Sequence, residues 1–158
     1  MKTMLLLLLM IATQAMEVES TFDREAMANH LRSEEGYSPK PYKCTQGFWT
    51  IGFGHRCEFD TPAINKEEAN KLLMADIDKA YKEARKLLKG NHPESVEFVV
   101  VSMIFQLGPT GVSKFKKMLA KVNARDYKGA SKEMLDSKWA KQTPNRAKRL
   151  AYTMEEAK

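Results

Sequence analysis

Cysteine is scarce in this chain of 158 residues. Cys44 and Cys57 do not make a disulfide scaffold, although their separation suits one bridge across a small sheet in an oxidising compartment. Histidine is scarcer than a zinc domain requires: three residues, none at zinc-binding spacing with those cysteines. No recognition-helix signature and no arginine-rich tail is present, so a net charge of +6 does not by itself select nucleic acid over another anionic partner. The glycines never continue into the G-x-G-x-x-G of a nucleotide site. There is no internal repeat. At the N-terminus the apolar run from Met4 to Ala12 is nine residues long, short of the roughly 17–25 that span a bilayer.

What that first segment does have is a leader pattern. Lys2 precedes the apolar run, and Thr13-Gln14-Ala15 is a small-x-small cleavage site. The expectation is a cleavable signal peptide over residues 1–15, a secreted mature chain over 16–158, and no stable membrane association after cleavage. A buried N-terminal helix and a retained signal-anchor are the two alternatives. Without Lys2 the mature part stays basic, with an anionic surface or acidic polymer as the natural partner.

The remainder divides by period. Thr21 can cap a helix whose apolar side is Phe22, Ala26, Met27 and Leu31, with Gly36 as terminator. Pro39 and Pro41 then hold the backbone out of helix, and Tyr42 to His55 reads as short strands turned at Gln46-Gly47. Asn65-x-x-Glu68 opens a long helix carrying Ala69, Leu72, Leu73, Asp76, Ile77, Ala80, Ala84, Leu87 and Leu88, which ends near Gly90-Asn91. Helical segments follow over Val96–Leu107, Val112–Val122, Tyr127–Leu135 and Arg146 to about Glu155, separated by Gly108-Pro109 and Thr143-Pro144. The expected fold is α+β and predominantly helical. A small N-terminal lobe at about 21–64 and a helical lobe at about 91–158 are joined by a helix at about 65–89. Clefts between lobes are common ligand sites.

The stretch YKCTQGFWTIGFGH, residues 42–55, concentrates three glycines, four aromatic rings, a cysteine and a histidine just after Glu34-Glu35. Glu35 falls in the last turn of the first helix. A protonated glutamic acid facing a cleft is the natural general acid for a glycosidic or other acetal bond. The turn through Gly36, Pro39 and Pro41 brings Cys44 and Thr50 back towards that helix end. Each residue has a plainer reading: solvated helix surface for Glu34-Glu35, burial or a disulfide for Cys44, a hydrogen-bonding core residue for His55. Cysteine nucleophilic catalysis with His55 as base is a further possibility. Against it, Cys44 lacks the helix N-terminal setting that commonly activates a thiol. Phe48 and Trp49 are expected to be core of the small sheet rather than cleft surface. On the residues alone, the chain reads as a secreted hydrolase of unspecified substrate.

Five blocks narrow this: Glu35-Gly36; Tyr42-Lys43; Thr50-Ile51-Gly52-Phe53-Gly54-His55; Phe105-Gln106-x-Gly108-x-Thr110-Gly111; and Trp139-x-x-Gln142-Thr143-Pro144-Asn145-Arg146-Ala147-Lys148-Arg149. Together they resemble the phage-type lysozymes, the glycoside hydrolase family of T-even bacteriophage lysozyme, over about residues 25–155. The resemblance implies a three-stranded antiparallel sheet in the N-terminal lobe. It also implies a muramidase that cuts the β-1,4 bond between N-acetylmuramic acid and N-acetylglucosamine in bacterial peptidoglycan, as a monomer without cofactor or metal. Glu35 matches the family's catalytic acid, Thr50 the threonine beside the attacking water, and Arg146 the arginine paired with the acid. Phe105 and Gln106 match cleft-lining positions, and His55 a histidine that supports the sheet. Cys44 stands where the best-known members carry aspartate, so it counts as the third catalytic candidate with Glu35 and Thr50. Two other readings stay open: a non-catalytic peptidoglycan-binding protein on the same fold, and a cysteine-dependent peptidoglycan-modifying enzyme.

Overall fold

A computed structural model of the chain describes residues 22–44 and 46–158. The leader and the expected cap Thr21 lie outside them. The first helix, α1 (Arg24–Glu35), is capped by Asp23, whose side chain accepts the Ala26 N–H at 2.9 Å. It ends at Gly36 with φ 68°, where the Gly36 N–H returns to the Arg32 carbonyl. Its buried face is Met27, Ala28 and Leu31; Ala26, expected there, is exposed. Phe22, expected on the same face, precedes the helix and stacks on Tyr81 at 4.6 Å between ring centroids.

Three strands follow: β1 (Ser38–Lys43), β2 (Trp49–Gly52) and β3 (His55–Arg56), antiparallel in the order β1-β2-β3. Tyr42 pairs with Thr50 and Ile51 with His55. The β1–β2 register is irregular between Ser38 and Tyr42, the stretch holding Pro39 and Pro41; prolines lack the N–H a ladder needs and belong on edge strands such as β1. The expected turn at Gln46-Gly47 forms, with the Gly47 N–H on the Cys44 carbonyl and the Cys44 N–H on the Phe48 carbonyl.

Both cysteines are free thiols. The reason lies in strand order. Cys44 hydrogen-bonds to Phe48 on one side of β2, and Cys57 to Trp49 on the other. Two strand spacings, about 9–10 Å, separate such positions. A disulfide holds its Cα atoms within about 4.4–6.8 Å. Phe48 is not core either: it is 44% exposed, with the Arg56 guanidinium 3.7 Å from its ring centre.

The long helix α2 (Lys66–Leu87) opens with a complete capping box, Asn65 Oδ1 on the Glu68 N–H and Glu68 Oε2 on the Asn65 N–H. Ala69, Leu73, Ile77, Ala80 and Ala84 form its buried face. Gly52, with φ 66°, lets the sheet approach this helix, since a Cβ there would stand 3.0 Å from the Ala69 Cβ. Next comes α3 (Glu94–Ser113), buried nearly all round from Val96 to Ile104 and broken at Gly108, with φ 73°, ahead of Pro109. One helix was expected over Val112–Val122. Instead tight bonds from the Lys114 and Phe115 N–H groups to Gly111 and Val112 turn the chain, and α4 (Lys116–Asn123) begins. α5 (Tyr127–Leu135) lies where its period placed it. α6 (Lys138–Gln142) is a five-residue helix capped by Ser137, and α7 (Pro144–Glu155) starts with proline at its first turn.

Among the described residues one apolar core links α1 and the sheet to the helical lobe, running from Leu31 and Phe53 through Ile77 and Val100 to Met134, Leu150 and Met154. Phe22 on Tyr81 and His30 against Phe98 seat α1 on α2 and α3. The C-terminal end of α1 therefore comes to rest between the sheet and the helices. That is where Glu35 lies.

Candidate active site

Glu35, Cys44, Thr50, His55, Phe105, Gln106 and Arg146, far apart in the chain, all line one cleft of about 660 Å3. All seven sequence candidates are thus brought together. Each is placed by an identifiable local cause.

Glu35 is the last residue of α1, its side chain about one quarter exposed. One carboxylate oxygen, Oε1, accepts from Arg146 Nη1 at 2.8 Å. Arg146 stands in the first turn of α7 and is buried. Its Nη2 contacts the Ser102 Oγ at 3.3 Å and the Ser102 carbonyl at 3.4 Å, while Nε is buried with no partner among the described residues. The other carboxylate oxygen lies beside the β2–β3 turn. A Cβ on Gly54, which has φ 84°, would stand 3.3 Å from Glu35 Oε2. The glycine is needed twice, for its backbone conformation and for the room it leaves the acid. The neighbouring Glu34 pairs with Arg149, so α1 is tied to α7 by both of its final carboxylates.

Thr50 is buried on β2, and its hydroxyl donates to the Tyr42 carbonyl at 3.2 Å across the β1–β2 pair. That donation leaves the Thr50 oxygen with lone pairs to accept a hydrogen bond from another group. Cys44 follows β1 and is part-exposed at the cleft. His55 opens β3 and meets Asp76 of α2 through Nδ1 at 2.7 Å, fastening the sheet to the long helix. Phe105 and Gln106 end the regular part of α3, just before Gly108. The Gln106 side-chain oxygen accepts from the Trp139 indole N–H at 2.9 Å, so its remaining polarity is the NH2 end, a donor. Gln46, on the hairpin turn, donates to the Gln106 carbonyl at 3.4 Å and also lines the cleft.

Ser102 and Asp76 are the contributors sequence reasoning did not assign. Ser102 carried a signal: one hydroxyl inside Val99-Val100-Val101-Ser102-Met103-Ile104 must find a partner once buried. Asp76 carries only a helix-face signal in the sequence; that face meets β3 through His55. Among the described residues no group of three His, Cys, Asp or Glu side chains is arranged to hold a metal ion. The cleft's chemistry is a carboxyl fixed by an arginine, a hydroxyl with free lone pairs, a thiol, and an amide donor. Such a set can protonate a leaving oxygen and orient a water.

Comparison with known proteins agrees with this geometry. A family model described as phage lysozyme matches residues 32–153, which include every one of these cleft residues. The chain is 27% identical over 154 residues to a probable T4-type lysozyme 1 of Dictyostelium discoideum, covering 79% of this chain and 91% of that one. It is 30% identical over 116 residues to the endolysin of Acyrthosiphon pisum secondary endosymbiont phage 1, covering 73% and 77%. With the endolysin of Bacillus phage B103 the identity is 34% over 121 residues, covering 74% of this chain and 45% of that one. Sheet, long helix, helical lobe and cleft, together with the family match over most of the chain, establish that this protein belongs to the phage lysozyme family.

Proposed function

We propose that the protein is a muramidase, hydrolysing the β-1,4 bond between N-acetylmuramic acid and N-acetylglucosamine in bacterial peptidoglycan. The observation that carries this reading is Glu35, held at 2.8 Å by Arg146 in a cleft that also holds Thr50 and Cys44. Because an arginine only donates, the Glu35 oxygen it contacts is occupied as an acceptor. The transferable proton then belongs on Oε2, beside Gly54. Glu35 gives that proton to the departing glycosidic oxygen. Water attacks the anomeric carbon from the opposite face, oriented by Thr50 through its unused lone pairs; the proton the water loses on attack passes to solvent, and solvent returns a proton to Glu35 for the next turnover. In such an inverting reaction a second group stands about 6.5–9.5 Å from the acid to leave room for the water; Cys44, on the same cleft, serves as a supporting group. Phe105 and the Gln106 NH2 end bind the sugar.

Charge suits the target. Between Lys114 and Arg149 there are twelve lysines and arginines against three acidic residues. The attraction to an anionic wall therefore acts mainly through the helical lobe. Export fits the same role, with residues 1–15 removed. Mass analysis of protein secreted from an expressing cell should find a chain beginning near Met16; chains retaining Met1 on most molecules would contradict cleavage.

A second reading has one observation in its favour: a thiol occupies the place of the expected carboxylate, as in a binding protein that has lost its chemistry. Wall-clearing assays on Cys44 variants decide between them. Cys44→Asp should match or exceed the parent. Cys44→Ala should lose up to about tenfold, well below the roughly 10²–10⁴ of a general acid or base. Since Cys44 and Cys57 are both free, reductant should leave the rate unchanged. An inert parent protein would favour the binding reading. A sugar adduct on Cys44, with an inactive Cys44→Asp, would replace the water mechanism with nucleophilic catalysis.

A further inference from the structure

We propose that His30 is a positioning residue of the active site, acting on Glu35 through Ser102 and Arg146; the inference rests on Glu35 being the acid of the reaction above. His30 lies on α1, half-buried, with its ring tilted against Phe98 of α3 at 5.1 Å. Its Nε2 is 3.0 Å from the Oγ of the fully buried Ser102. The same Oγ is 3.3 Å from Arg146 Nη2, and Arg146 Nη1 is 2.8 Å from Glu35. Four side chains thus form one line from His30 to the acid.

The direction of each bond follows from the donor inventory. Arginine can only donate, so the Ser102 Oγ accepts from Arg146. The Ser102 hydroxyl hydrogen then needs an acceptor of its own, and a neutral His30 Nε2 is placed to be one. This puts the ring's proton on Nδ1. Among the described residues Arg146, its Nε buried and unpartnered, is anchored by Glu35 and by the Ser102 Oγ and carbonyl, so loosening the Oγ contact removes one of three hydrogen bonds that hold the guanidinium in place. A protonated His30 would do that. Its Nε2 could no longer accept, and would instead donate to the oxygen that receives Arg146, adding a like charge beside the guanidinium.

The surroundings keep the ring neutral. Burial first, and then the charge of Arg146, lower the His30 pKa from its ordinary value of 6.5. Arg149, on α7 with Arg146, acts in the same sense. Glu34, on the histidine's own helix, acts in the opposite one and is itself paired with Arg149. From α3 the ring meets Phe98 and Ser102, neither of them charged. The line of bonds is therefore complete above pH 6.5 and is lost as pH falls through the lowered folded-state pKa.

The test is kcat and KM on soluble peptidoglycan fragments at pH values on either side of 6.5, for the parent chain and three changes. His30→Leu should lower kcat about three- to tenfold at neutral pH with KM unchanged, the worth of one ordinary hydrogen bond. Ser102→Ala should do the same, and the double variant should be no worse than either single one, because both break the same line. His30→Gln keeps an acceptor and cannot take up a proton. It should restore kcat to within about twofold of the parent and remove the parent's fall in activity below pH 6.5. A His30→Leu with parental kcat, additive singles, or a His30→Gln that keeps the parental acid limb would overturn the proposal. If the parent shows no turnover, the muramidase reading fails and the line is judged by NMR. Arg146→Met should move the His30 ring titration up towards 6.5, and an unmoved titration would refute the coupling.

Discussion

Glu35→Gln should lose wall-clearing activity by roughly 10²–10⁴-fold, the contribution of a general acid, while the protein stays folded. The amide can still accept from Arg146 through its oxygen, so the local geometry has no reason to change. What it cannot do is release a proton to a leaving oxygen. The space around Oε2 is set by Gly54, and an NH2 group of nearly the same size fits it. Clearing of bacterial walls, with circular dichroism as the check on folding, reads both halves of the prediction. A folded Glu35→Gln protein that clears walls at the parental rate would remove Glu35 from the mechanism.

Arg146→Met should cost about 10²-fold in the same assay, the penalty for a reacting group displaced by about 1 Å. Methionine has the length to fill the space but cannot hold a carboxylate. The expected effect on stability is smaller. Removing one partner of a buried ion pair destabilises a fold by leaving the other charge uncompensated. Glu35, about one quarter exposed, keeps access to water, which limits that cost. A folded protein with activity lowered about 10²-fold and only a modestly lowered melting temperature is therefore expected. A fully active variant would show that Arg146 serves packing instead.

These expectations rest on different parts of the sequence. The block from Thr50 to His55 revealed the sheet because its glycines, hydroxyl and aromatic residues leave little alternative to tight strands. The Asn65–Glu68 capping box and the three- and four-residue spacing after it gave the long helix nearly to the residue. Both are local signals, and local signals can be read without the fold. Three features could not be. The helix Lys138–Gln142 is shorter than two turns, so no hydrophobic period can develop in it; only the Ser137 cap marks its start. Phe48 looked like core by composition, yet the turn beside it carries the ring out to Arg56. The Cys44–Cys57 separation allowed a bridge until strand order put β2 between them.

The site divides in the same way. Glu35, Thr50 and Arg146 were legible because each sits in a block with a recognisable family pattern. Their support was not, since Ser102 and Asp76 act through contacts between α3 and α7 and between β3 and α2. Such contacts depend on where helices cross, which a single sequence does not state. Ser102 could be suspected of having a partner, as the lone hydroxyl of an apolar run. Which partner it had, and that His30 stood on its other side, required the packing of α1 on α3.

The central claim is that this cleft cuts glycan between N-acetylmuramic acid and N-acetylglucosamine, and the most direct measurement is the chemistry of the ends it makes. Purified peptidoglycan is digested with the protein, the new reducing ends are reduced with borohydride, and the sugar alcohols are identified by mass spectrometry. The account predicts reduced N-acetylmuramic acid as the new end, formed by the parent protein and absent with Glu35→Gln. New ends of reduced N-acetylglucosamine, or peptide-bond products without any new sugar end, would contradict it.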